Sequence, residues 1–156
     1  MSSAQAWLLE CSETLIVAVA DHEIVECIQP DAYHEVPSTP PYCNRVIQWQ
    51  GRLVPVLDLG ALYGSVASLS EPSFVCLLAY QEAPGLPLQH LAVPVNSAPE
   101  KVEVDDEQAC ELAEGPGDEL LRAISISCFS HAQVPVAIVD IARLCSREFR
   151  ELALAS

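Results

Sequence analysis

Two stretches of this chain repeat one order of events. Gln50-Gly51 is a turn, Leu53-Val54-Pro55-Val56-Leu57 an apolar run interrupted by proline, and Asp58 precedes a short helical pattern. Eighty positions later Val134-Pro135-Val136-Ala137-Ile138-Val139 runs into Asp140 and a second helical pattern, with two more residues between Val-Pro-Val and the aspartate. An internal repeat of this kind points to two similar small units, neither of which buries its apolar face alone. It restricts the chain to a fold with an approximate duplication.

Between and around the copies the pattern is that of strands. Leu15 to Val19 and Glu23 to Ile28 are β-rich runs separated by Asp21-His22, which predicts a hairpin. Val46 to Gln50 alternates, with Ile47 and Trp49 on one face and Val46, Gln48 and Gln50 on the other. Pro55 predicts an edge position or a bulge, because proline donates nothing to a sheet ladder. Phe74 to Tyr80 and Gln89 to Val95 read as buried strands, and Lys101 to Val104 and Ala123 to Cys128 as short ones. Asp58 and Asp140 are placed to accept free N–H groups of the helices that follow them. The second helix carries Ile141, Leu144, Cys145, Phe149 and Leu152 as one apolar stripe. Many short strands with few helices indicate a barrel architecture.

Composition removes several classes of function. Seven Lys and Arg against 22 Asp and Glu give a net charge of −15, which repels a phosphate backbone and excludes a nucleic-acid partner. Nine of the acidic residues lie between Glu100 and Glu119, a stretch read as a solvated loop with a short helix and broken by Gly115-Pro116-Gly117. No apolar run approaches the roughly 20 residues of a membrane helix, and no signal sequence is legible, so the expected setting is the cytoplasm. Seven cysteines are spaced sixteen or more residues apart, without the local ligand pairs of a zinc site. No metal or cofactor is expected. The phosphate-binding, nucleophile-elbow and metalloprotease motifs are all missing, so no catalytic residue is assigned.

The segment Arg45-Val46-Ile47-Gln48-Trp49-Gln50-Gly51, followed by Pro55-Val56-Leu57-Asp58-Leu59 and Tyr63-Gly64, resembles the CheW-type adaptors of bacterial chemosensory arrays. In that family the run is a Gly-Val-Ile-Asn-Leu-Arg-Gly strand and turn, then Pro-Val-x-Asp-Leu and a closing Leu-Gly. The resemblance spans residues 14 to 145 and is specific over 45 to 64. It implies a mainly β fold of two intertwined, five-stranded SH3-like barrels with short helices and a C-terminal helix. Residues 1–13 would then be an N-terminal extension and 146–156 the end of the last helix.

Functionally the resemblance implies a non-enzymatic scaffold that binds the regulatory domain of a CheA-type histidine kinase and the cytoplasmic tip of a chemoreceptor. Such a protein is not inserted in the membrane but is recruited to receptor arrays there. The partner surface would fall on Arg45, Gln48, Trp49, Gln50, Gly51 and Arg52. Three positions depart from the family: Gln50 replaces an arginine, Arg45 a glycine and Pro94 an aspartate, so the chain reads as a divergent adaptor of a flagellar or type IV pilus system. Arg52 or Arg45 would have to supply the charge missing at Gln50. Two other readings compete: a thiol-based redox-responsive binding module, motivated by the seven cysteines, and an enzyme whose site assembles from distant residues.

Overall fold

The computed structural model describes residues 3–12, 15–63, 74–110 and 118–155. Gly64, Glu111, Glu114 and Gly115-Pro116-Gly117 lie outside the described residues. Among the described residues, eleven strands form two curled antiparallel-rich sheets. The chain begins with β1 (Ser3–Glu10) and β2 (Ile16–Ala20), then runs through β3 (Ile24–Ile28), the two-residue β4 (His34–Glu35), β5 (Arg45–Trp49), β6 (Arg52–Val56) and helix α1 (Leu59–Tyr63). It continues through β7 (Phe74–Tyr80), β8 (Gln89–Val95), β9 (Glu100–Asp105), α2 (Asp118–Ile124), β10 (Ser125–His131) and β11 (Val134–Val139). Helices α3 (Ile141–Leu144) and α4 (Arg147–Ala155) close it.

The first sheet has the order β3-β7-β8-β6-β5-β4 and the second β10-β11-β2-β1-β9. The two are copies. The hairpin β5–β6 corresponds to β10–β11, and β6 runs parallel to β8 as β11 runs parallel to β2. The hairpins β7–β8 and β1–β2 also correspond. The first barrel is continuous in sequence, whereas the second takes one hairpin from the start of the chain and its other strands from the end. This is how the two barrels are intertwined.

Residues 3–10, expected to precede the domain, are therefore β1, paired on one side with β2 and on the other with β9. The hairpin expected at Asp21-His22 is not formed either: β2 and β3 belong to different sheets and are joined by a 3₁₀ turn over Asp21–Glu23. Burial explains the choice. Val17, Ala18 and Val19 are all inaccessible, so β2 needs a covering layer on both faces.

Three apolar clusters supply those layers. Ile47, Val54, Val56, Val75, Leu77 and Ala92 fill the first barrel, and Ala6, Leu8, Ala18, Phe129 and Val136 the second. The third cluster lies between the barrels and takes Leu9, Val17 and Val19 from one sheet, Cys76, Leu78, Leu91 and Val93 from the other, and Ile141, Leu144 and Phe149 from the helices. Alternate residues of β1, β2, β7 and β8 thus enter a barrel and the shared core in turn, as the two-residue period of a strand requires. This is why these strands have little polar alternation in sequence.

Hairpin and cap geometry set the repeat, and they correct its register. Gln50 and Gly51 have φ of 50° and 75°, and Ala132 and Gln133 have φ of 50° and 69°, the sign pattern of type I′ turns. Seven positions separate Gly51 from Asp58 and likewise Gln133 from Asp140. The Asp58 carboxylate accepts from the Ala61 N–H at 3.0 Å, and that of Asp140 from Arg143 N–H at 3.2 Å. Their own N–H groups donate to Tyr42 and Ile124 carbonyls, both at 2.7 Å. Counted from turn and cap, Pro55 corresponds to Ala137, and the two Val-Pro-Val runs are two residues out of step.

Pro55 also lies on an internal strand rather than an edge. It is tolerated because β6 meets β8 only at Val56, opposite Ala92, so the proline stands outside the parallel ladder. The last helix is two, because Ser146 interrupts it: its hydroxyl donates to the Arg143 carbonyl at 2.6 Å, and its Oγ accepts the Phe149 N–H at 3.2 Å, ending α3 and capping α4.

Ala132 and Gln133 hold the left-handed conformation without glycine or asparagine, which costs about 1 kcal/mol at each residue. Replacing the pair by Asn-Gly is expected to stabilise the protein by about 1–2 kcal/mol. Chemical denaturation would show a higher midpoint at unchanged slope. An unchanged midpoint would contradict the turn assignment.

Candidate functional site

The β5–β6 hairpin tip is the surface that the sequence singled out, and its two faces differ. Trp49 and Arg52 are directly opposite each other, as are Gln48 and Leu53, and Val46 and Pro55. The face of Ile47, Val54 and Val56 turns inward, and Trp49 is the last residue of that face, half-buried against the first-barrel core. Its indole N–H donates to the Glu26 carboxylate on β3 at 2.7 Å, and its ring lies 5.1 Å from that of His90 on β8. Since β3 and β5 stand far apart in the sheet order, this bond spans the curled sheet and closes the mouth of the barrel. Trp49 is thereby a structural plug.

The outer face is open. Gln48, Gln50 and Pro55 are exposed, and Leu53 is 66% exposed at its centre, while Gly51 and Arg52 are exposed at the turn, Arg52 by its pairing on the side of Trp49. Leu53 is the residue that the sequence reading overlooked. Its signal was present in the alternation, because a residue paired with outward-facing Gln48 must itself face outward. A leucine held open between polar neighbours on a rigid hairpin is the kind of apolar contact that a partner can cover.

The structure separates Arg45 from this group. Arg45 lies at the other end of β5, on the face opposite to Gln48 and Gln50, with its guanidinium 5.8 Å from the centre of the Tyr33 ring. It does not replace the arginine missing at Gln50. Arg52 stands at the turn itself, opposite Trp49, and is the cation that the tip presents. Pro94 is buried on β8 opposite Val75, so it takes no part in this surface.

A second tryptophan hydrogen bond lies at Trp7, whose ring packs against the shared core. Its indole N–H donates to Asp21 at 2.7 Å, and Lys101 on β9 lies 3.4 Å from the same carboxylate and 5.7 Å from the centre of the indole ring. The Trp7 hydrogen bond, with help from Lys101, holds the Asp21 carboxyl below the usual range.

A groove of about 470 Å³ lies beside α3 and α4, lined among others by Glu82, Asp140, Arg143, Ser146 and Phe149. Asp140, Arg143 and Ser146 are spent on the fold. Asp140 caps α3, Arg143 Nη1 donates to the Ala123 carbonyl at 3.4 Å, and Ser146 caps α4. No acid–base pair is set against a nucleophile here. Among the described residues no cluster of three His, Cys, Asp or Glu side chains is placed to hold a metal, and no helix is long and apolar enough to cross a membrane.

Comparison with known proteins agrees with this architecture. No curated protein matches the chain. Among solved structures, the scaffolding protein TtCheW of Thermoanaerobacter tengcongensis superposes with a TM-score of 0.67 at 13% identity, over 89% of this chain and 85% of that one, which shows a shared fold. The family model for the CheW-like domain matches residues 5–149, a span that takes in β1 and reaches into α4. With two duplicated barrels, a shared interbarrel core and that match over nearly its whole length, the chain belongs to the CheW-like domain family.

Proposed function

We propose that the protein is a non-enzymatic adaptor of the cytoplasm that couples chemoreceptors to a CheA-type histidine kinase. The observation that carries this reading is the family match over residues 5–149, which covers both barrels and the core between them. The mechanism is geometric. Two barrels sharing one apolar core form a stiff body, and a stiff body that holds a receptor tip and a kinase regulatory domain together passes a small displacement of one to the other. A redox-responsive binding function has no support from the family.

In this reading the receptor tip meets the open face of the β5–β6 hairpin, with Leu53 as its apolar centre, Gln48 and Gln50 beside it and Arg52 at the turn that ends it. Gly51 shapes the turn and Trp49 holds the hairpin in place from inside. Gln50 replaces the family arginine, and glutamine has two donors and no charge where arginine has five donors and a fixed charge. Receptor affinity here therefore rests on Leu53 and Arg52.

Binding of the purified protein to the kinase regulatory domain and to a receptor-tip fragment tests this. Micromolar binding to both is expected. Leu53→Glu is expected to weaken the receptor fragment about tenfold or more, about 1.4 kcal/mol, while leaving kinase binding and the melting temperature unchanged. Failure to bind any kinase domain removes the adaptor reading, whereas an unaffected Leu53→Glu variant moves the receptor surface elsewhere.

A further inference from the structure

The second sheet has two edges, β9 and β10, and the chain brings them together. Beyond β9 a 3₁₀ turn over Asp106–Gln108 carries the backbone onto β10, where Ala109 bridges Phe129 in antiparallel fashion. The Cys110 N–H donates to the Cys128 carbonyl at 3.2 Å, and Gln108 Nε2 to the Ser130 carbonyl at 3.4 Å. That register sets Cys110 directly opposite Cys128. Opposed residues of an antiparallel pair have Cα atoms about 4.5–5.5 Å apart, inside the roughly 4.4–6.8 Å that a disulfide spans. The two sulfurs are in contact at 2.6 Å, with both cysteines free.

We propose that Cys110 and Cys128 form a reversible disulfide that closes the second barrel covalently, tying edge strand β10 to the segment that follows β9. The backbone bonds already hold the two residues in register, so the bond forms without rearranging the sheet. Exposure orders the steps. Cys110 is partly open to solvent, while Cys128 is 6% exposed and burial pushes its thiol well above its ordinary pKa. The thiolate is the attacking species, so Cys110 reacts first.

The oxidant is a low-molecular-weight disulfide. Cys110 Sγ attacks one of its sulfurs, forming a mixed disulfide and releasing one small thiolate. Cys128 Sγ then attacks Cys110 Sγ as its proton passes to solvent, and the second small thiolate leaves and is protonated. Two protein thiols are oxidised and one small disulfide is reduced to two thiols. A dithiol in excess reverses the exchange. The bond locks the barrel closure and leaves the β5–β6 face untouched, so it stands independently of the partner reading.

The test treats the native protein with glutathione disulfide, removes the excess, blocks the remaining thiols with iodoacetamide in denaturant and maps the peptides by mass spectrometry. Cys110 and Cys128 should appear in one crosslinked peptide that dithiothreitol separates, the buried Cys11 and Cys76 should be alkylated, the exposed Cys27 should be alkylated or carry glutathione, and the oxidised protein should melt at a higher temperature. Cys128→Ser should stop at a glutathione adduct on Cys110, and Cys110→Ser, a change at a partly exposed position, should abolish the crosslink. Cys110 and Cys128 recovered alkylated or as separate glutathione adducts would overturn the proposal. So would a bond at Cys27–Cys76, the pair opposed across β3 and β7, formed in place of it, or a crosslink of Cys128 that survives Cys110→Ser.

Discussion

A chain starting at residue 14 will lose the second barrel. The truncation removes β1, which pairs through five residues with β2 and six with β9. It also removes Ala6 and Leu8 from the second-barrel core and Leu9 and Cys11 from the shared core. Truncating one buried leucine to alanine costs about 2–5 kcal/mol, and a whole domain is stable by only about 5–15 kcal/mol. Losing two leucines together with both ladders therefore exceeds the available stability. The expected result is a protein that unfolds without a cooperative transition or accumulates as aggregate, since β9 is left without its partner strand and β2 with one open edge. Leu9→Ala, a milder change at the same place, should lower stability by about 2–5 kcal/mol and keep the fold. A truncated chain that melts cooperatively at the full-length temperature would show that β1 is dispensable.

Alkaline pH will unfold the protein well before it affects a typical domain. Burial, aided by the nearby Asp58 charge, pushes the Cys11 thiol from 9.0 up to about 12, and burial pushes Cys145 up to about 11. Cys76 and Cys128 move in the same direction for the same reason. The native state thus keeps protons that the unfolded state releases near pH 9. Between those values the unfolded chain binds fewer protons, so stability falls as pH rises, and it is fully present below pH 9. For Cys11 alone the loss at pH 11 is about 2–3 kcal/mol, and the other thiols add to it. Urea midpoints should be level from pH 7 to 8.5 and fall steeply above 9, and Cys11→Ala should flatten that slope. A level profile to pH 11 would mean that the thiols ionise in place.

The local features of the chain were readable because each is decided within about ten residues. Alternation in Val46 to Gln50 marked a strand with one open face, and the structure keeps Ile47 inside and Gln48 outside. Asp58 and Asp140 were readable as caps because their position before an apolar helical pattern suits them to accept first-turn N–H groups, and both do. Leu53 belongs to the same class, since its orientation follows from pairing with Gln48.

Trp49 does not belong to it. Nothing near it in sequence says that Glu26, on a strand more than twenty residues earlier, accepts its N–H, and that bond ties β5 to β3 across the barrel. Arg45 was separated from the turn for a related reason, because its side chain turns to Tyr33 on the other face.

By itself, the sequence determined that the chain is built from short strands and that it contains a proline-interrupted apolar run leading into an aspartate cap twice. Only the tertiary structure decided that β1 is part of the second barrel, that β2 and β3 part company at Asp21, that turn and cap set the repeat register in place of proline, and that Cys110 meets Cys128. The physical reason is the same in each case. A strand such as β2, apolar on both faces, has to be covered twice, and which distant strands cover it depends on the two barrels burying their facing surfaces in one shared core.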